Sequence, residues 1–131
     1  MPYLDWKPIY STGIGSVDRQ HLKLVGYMNA FFQANAEKNI RVAKITLDTL
    51  LNFTKVHFTE EEALMAENHY PDVDAHKKKH VLLLENAVKY ATSYSANPNE
   101  KNAELLSDFL NTWLVTHILG VDQKYVPFVK K

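Results

Sequence analysis

Histidines and acids recur through this chain at a spacing that makes sense only on helices. In order they are His21, His57-x-x-x-Glu61, His76-x-x-x-His80 and His117-x-x-x-x-Asp122. Side chains four apart on an α-helix lie on the same face, about 6 Å apart along the axis. Each pair at that spacing aims two nitrogen or oxygen ligands at one point. Seven such ligands are too many for one ordinary metal ion and suit two.

The ligand candidates sit in apolar stripes of helical period, so the points they aim at lie inside a core. One stripe holds His21, Leu24, Val25, Met28, Phe31, Phe32 and Asn35; the next holds Leu47, Leu50, Thr54, His57, Glu61 and Leu64. A third runs through Val73, His76, His80, Leu83 or Leu84, Ala87 and Ala91, and a fourth through Leu106, Phe109, Leu110, Trp113 and His117. These patterns predict helices at about 16–37, 40–68, 72–94 and 98–119, behind an N-terminal arm over 1–15. None of the prolines interrupts a stripe, and Pro98 with Asn99 is expected to open the fourth helix, whose first turn tolerates proline. Gly120 is a plausible stop for that helix. Beta-hairpin signals and internal repeats are absent.

Short connections make neighbouring helices antiparallel, so the fold class is all-α, an up-down-up-down four-helix bundle. The first and third helices then run one way, the second and fourth the other. His21 and His76-x-x-x-His80 lie near helix starts, while His57-x-x-x-Glu61 and His117 lie near helix ends. All of them therefore converge on one end of the bundle.

Composition narrows what such a cluster can be. A chain of 131 residues is expected to form one domain, residues 1–131, and to bury roughly two-thirds of its unfolded surface. There is no cysteine, which excludes disulfides, iron–sulfur clusters, thiolate zinc sites and cysteine nucleophiles. Any metal must be held by nitrogen and oxygen, as iron, zinc, manganese or copper can be. Fifteen basic and fifteen acidic residues balance, so no nucleic acid or acidic membrane surface is indicated. The start has no signal-peptide pattern, and the longest uncharged stretch, Phe109 to Val121, is too short to span a bilayer. The reading is a soluble cytoplasmic protein.

A lone histidine in an apolar stripe is more often a hydrogen-bonded core residue than a ligand. Five histidines and two acids at one end of a core are different, because without a metal they make a costly buried polar cluster. Within Glu60-Glu61-Glu62 only Glu61 shares the stripe of His57; its neighbours are rotated about 100° to either side and are expected to be solvated. Lys77, Lys78 and Lys79 are expected to face solvent, and His69 to be a surface or capping residue. Asp122 is five residues from His117, which on an unbroken helix leaves it off the inner face unless the helix loosens near Gly120. No zinc-protease motif, phosphate loop or nucleophile elbow is present, nor the paired Glu-x-x-His motifs of ferritin-like bundles. A site rich in histidine and poor in carboxylate stabilises high oxidation states less, which favours binding oxygen over cleaving it.

These residues carry a resemblance. Trp6, Thr12-Gly13-Ile14, Asp18-x-x-His21, His57-x-x-x-Glu61, Tyr70-Pro71, His76-x-x-x-His80 and His117-x-x-x-x-Asp122 occur in order over nearly the whole chain. In this the chain resembles the hemerythrins, and within them the single-domain bacteriohemerythrins. The resemblance implies a non-haem di-iron centre with an oxo or hydroxo bridge. His76, His80 and His117 would hold one iron, His21 and His57 the other, and Glu61 and Asp122 would bridge both. It also implies an oxygen pocket of Leu24, Phe58, Trp113, Leu114 and Ile118, residues that periodicity alone reads as ordinary core. The expected function is reversible dioxygen binding for transport, storage or delivery, not enzymatic turnover, with an oxygen-consuming enzyme as a candidate recipient. Sensing of oxygen, redox state or nitric oxide, and turnover of peroxide or nitric oxide, are the alternatives. The short arm, with Tyr3, Leu4 and Trp6, either folds over its own bundle or meets a partner; the first is expected, with a monomer as the favoured state.

Overall fold

A helix with one apolar stripe is stable in water only if that stripe faces another apolar surface. In the computed structural model, which describes residues 7–117 and 122–129 but not the side chains of Ile9, Leu114, Val115 and Asp122, four such helices face one another. They are α1 (Gly15–Ala36), α2 (Ile40–Glu67), α3 (Val73–Ala96) and α4 (Glu100–Thr116). A 3₁₀ turn at Pro8–Tyr10 precedes them; another at Asp122–Tyr125 leads into the single-turn helix α5 (Val126–Val129). Each long helix packs on the next, and α4 closes the ring against α1, giving the antiparallel four-helix bundle. Among the described residues there is no strand, and no helix is long and apolar enough to cross a membrane.

The turns are set by side chains and by two left-handed residues. The Asp18 carboxylate accepts from Ser11 Oγ, Thr12 N and Thr12 Oγ1, each at 2.8 Å, and from Gly13 N at 3.2 Å. Gly13 has a φ of 79°, which glycine adopts without a Cβ penalty. This ties the end of the arm to the start of α1. At the other end of α1, Lys38 has a φ of 56° and the N–H of Asn39 reaches back to Ala34 O at 2.9 Å, which satisfies a terminal carbonyl. The Asn39 side chain then caps α2 by accepting from Val42 N at 3.3 Å.

Helix α2 stops the same way. His69 takes a φ of 56°, and Tyr70 N–H bonds Met65 O at 3.0 Å. At α4, Asn99 Oδ1 accepts from Asn102 N at 2.8 Å. Asn99 is thus the cap and Pro98 precedes it, where the sequence reading had Pro98 inside the first turn. An asparagine oxygen satisfies an orphan N–H that proline cannot. The expected stop at Gly120 lies outside the described residues.

Two apolar clusters fill the bundle. The larger holds Leu24, Met28, Phe31, Phe32, Leu47, Leu50, Phe58, Tyr94, Leu106, Leu110 and Trp113, with Tyr10 of the arm packed against it. The smaller holds Met65, Tyr70 and Tyr125, with Ile14, Leu64, Val73 and Val129 around them. Tyr125 comes from the C-terminal turn and Tyr70 from the α2–α3 connection, so this cluster covers the end of the bundle to which the histidines converge.

Candidate metal centre

The polar residues of the four stripes meet between these two clusters. His21 comes from the first turns of α1, His57 and Glu61 from the last turns of α2, and His76 and His80 from the start of α3. His117 closes the group just beyond the end of α4 at Thr116, where the winding widens to a π turn. None of these six residues is more than 3% exposed.

Glu61 is at the centre. Its Oε1 lies 3.2 Å from His76 Nε2, 3.0 Å from His80 Nε2 and 3.5 Å from His117 Nε2. Its Oε2 lies 3.6 Å from His57 Nε2 and 4.0 Å from His21 Nε2. One carboxylate thus presents one oxygen to three histidines and the other to two. Glu61 with His76, His80 and His117 forms one set of atoms close enough to share an ion; Glu61 with His21 and His57 forms a second.

A second layer of hydrogen bonds fixes how the imidazoles point. His80 Nδ1 is 2.7 Å from Glu62 Oε2. An ionised carboxylate only accepts, so Nδ1 carries the proton and a neutral His80 turns the lone pair of Nε2 toward Glu61 Oε1. Two acceptors then face each other at 3.0 Å, and the buried Nε2 makes no hydrogen bond of its own. A cation bound by both removes that conflict, so the donor set fits a metal. His57 is arranged alike: its Nδ1 lies 2.7 Å from Gln20 Oε1, and Gln20 Nε2 donates to Glu60. Tyr125 O–H donates to Glu61 Oε2 at 3.0 Å from the covering cluster.

Gln20, Glu62 and Tyr125 were missed by reading the sequence; Glu60 is exposed as expected, whereas Glu62, expected in solvent, is half-buried. Periodicity places a residue relative to its own helix axis. Glu62 is indeed rotated off the stripe of Glu61, but α3 packs on that flank and brings His80 to it. No helical stripe contains Tyr125; its one signal was closeness in sequence to Asp122. Lys77, Lys78 and Lys79 are exposed as expected, and so is His69, whose left-handed backbone ends α2.

Of the expected pocket residues, Leu24, Phe58 and Trp113 are buried in the larger apolar cluster, the last two against histidines. Phe58 stacks on His80 with ring centroids 3.8 Å apart, and Trp113 stacks over His117 at 6.0 Å. A narrow apolar cavity bounded by Leu50, Thr54, Phe58, Leu84, Leu110 and Trp113 adjoins this wall. A cleft of about 230 Å³ between α1 and α2, lined by Val17, Gln20, Glu60, Ala63 and Leu64, reaches Glu61. The side chains of Leu114 and Asp122, and the whole of Ile118, lie outside the described residues.

Comparison with known proteins agrees with this geometry. Residues 12–129 match the family model "Hemerythrin HHE cation binding domain". The chain is 31% identical to the bacteriohemerythrin of Stenotrophomonas maltophilia over 99% of its own length and 84% of that protein. It is 30% identical to the bacteriohemerythrin of Methylococcus capsulatus over 90% of itself and 89% of that protein. Superposition on the crystal structure of wild-type hemerythrin covers 99% of this chain and all of that one, with a TM-score of 0.88 at 28% identity. Fold, buried donor set and sequence agree: the chain belongs to the hemerythrin family.

Proposed function

We propose that this protein binds dioxygen reversibly at a pair of iron ions, as a carrier or store in the cytoplasm. The observation that carries the reading is the unequal division around Glu61, whose two oxygens face three histidines and two. His76, His80 and His117 would hold one ion and His21 and His57 the other, with Glu61 and, on this reading, Asp122 serving both. When bound, the irons supply the electrons and the vacant position that dioxygen requires.

The chain's own residues make that chemistry reversible. Leu24, Phe58 and Trp113 supply buried apolar side chains that would keep water from the bound irons, and Leu114 and Ile118 are proposed to add to them. Tyr125 steadies Glu61 through its hydrogen bond at 3.0 Å. The Nδ1 hydrogen bonds of His57 and His80 preset the tautomer whose Nε2 carries the lone pair a metal would take. The test is optical. Iron-loaded protein, reduced without oxygen, should gain a visible absorption band when oxygen is admitted and lose it under argon, over repeated cycles. Irreversible oxidation in the first cycle would contradict the carrier reading in favour of a sensor or an enzyme.

A further inference from the structure

One histidine of each set is backed by a chemically different partner. His80 Nδ1 donates to a carboxylate, Glu62, at 2.7 Å, whereas His57 Nδ1 donates to a neutral amide oxygen, that of Gln20, also at 2.7 Å. The Gln20 amide has only one workable orientation. Its Nε2 donates to the Glu60 carboxylate; turned over, it would set an oxygen against that carboxylate and an N–H against the Nδ1–H of His57.

The difference matters because the acceptor on one imidazole nitrogen sets the donor strength of the other. A carboxylate draws on the Nδ1 proton and leaves Nε2 richer in electrons, while a neutral amide does so less. Distances being equal, charge is the variable. We propose that Gln20 is a positioning residue that keeps the two-histidine position electron-poor, making it the weaker metal site and the more easily reduced iron. This rests on the two-ion reading. It also explains why the Gln20–Glu60 pair matters although Glu60 is exposed: Glu60 holds the amide oxygen toward His57.

A charge-conserving exchange tests it. The double variant Gln20→Glu/Glu60→Gln keeps the pair, its hydrogen bond and the net charge, but places the carboxylate against His57. The cobalt-substituted full chain is titrated with a chelator while the released ion is followed by absorbance. The native protein should release cobalt in two steps. In the double variant the weaker step should tighten by about tenfold, in line with the size of outer-partner effects on metal affinity, with the tighter step unchanged. Glu62→Gln should loosen the tighter step by a similar factor. The iron-loaded double variant should also have a more negative midpoint potential, which a tie serving only to join α1 to α2 would not change.

The outcomes are distinguishable. Release of a single ion per chain from the native protein would overturn the two-ion reading itself. Two steps, with the weaker one unmoved or loosened in the double variant, would leave that reading intact and overturn the role of Gln20. If the double variant does not fold, Glu62→Gln decides: an unchanged tighter step overturns the proposal.

Discussion

Glu61 shows how much one side chain can settle. Its helix and its four-residue spacing from His57 bury it, and its two oxygens then divide the histidines. Tyr125 donates its hydroxyl to Glu61 Oε2, so Tyr125→Phe takes that bond from a buried carboxylate oxygen. The expected cost is about 1–3 kcal/mol, measured as the shift in urea unfolding free energy against the native chain. Asp18 offers a second residue-level test. Burial pushes its pKa up, but hydrogen bonds from Thr12, Ser11 and Gly13 outweigh burial and hold it below the ordinary aspartate value. A carboxylate with a depressed folded pKa contributes stability that is fully present above its unfolded pKa and lost as pH falls through the folded one. Asp18→Asn should therefore cost stability at neutral pH and flatten the decline below about pH 4, read from urea midpoints across a pH series. The ligand residues were legible in the sequence because each is specified by its own helix. Gln20 and Glu62 were not, because their partners lie on a neighbouring helix and depend on how the two pack.

At the scale of elements, helix bodies were easier to read than helix ends. Apolar stripes marked the bodies, and Pro71 and Pro98 marked connections, but α1 and α2 both end on a residue other than glycine in the left-handed region, Lys38 and His69. Nothing in the side chain of lysine signals that backbone, and histidine, though enriched there, signals it only weakly. Their Cβ penalty predicts that Lys38→Gly stabilises the chain by roughly 0.5–1 kcal/mol, net of the entropy that glycine adds to the unfolded state. Lys38→Ala should bring no such gain; equal melting temperatures for the two variants would show that this turn is unstrained. The capping role of Asn99 belongs to the same scale. Proline and asparagine together announced a helix start, and only the Asn99–Asn102 hydrogen bond shows which of them caps it.

In the whole molecule, the convergence of the four helices was legible from connection length alone, since short turns force alternating directions. What the sequence did not show is that the histidine-bearing end is covered: Tyr70 and Tyr125 close it with a separate small cluster. The site therefore lies between a large apolar core, which extends well beyond it, and a small one that rests on the polar residues beneath it. Iron removal should accordingly lower the melting temperature and raise amide exchange in the last turns of α2 and the first turns of α3. Protection around Phe31, Tyr94 and Leu106 should persist. Uniform loss of protection would mean that the metal holds the whole bundle and not one end of it. The account as a whole rests on one carboxylate serving two ions. Diffraction from crystals of the iron-loaded protein at the iron absorption edge tests this most directly. Two anomalous peaks per chain are predicted, one against His76, His80 and His117 and one against His21 and His57, with Glu61 between them; a single peak, or two on the same side of Glu61, would contradict it.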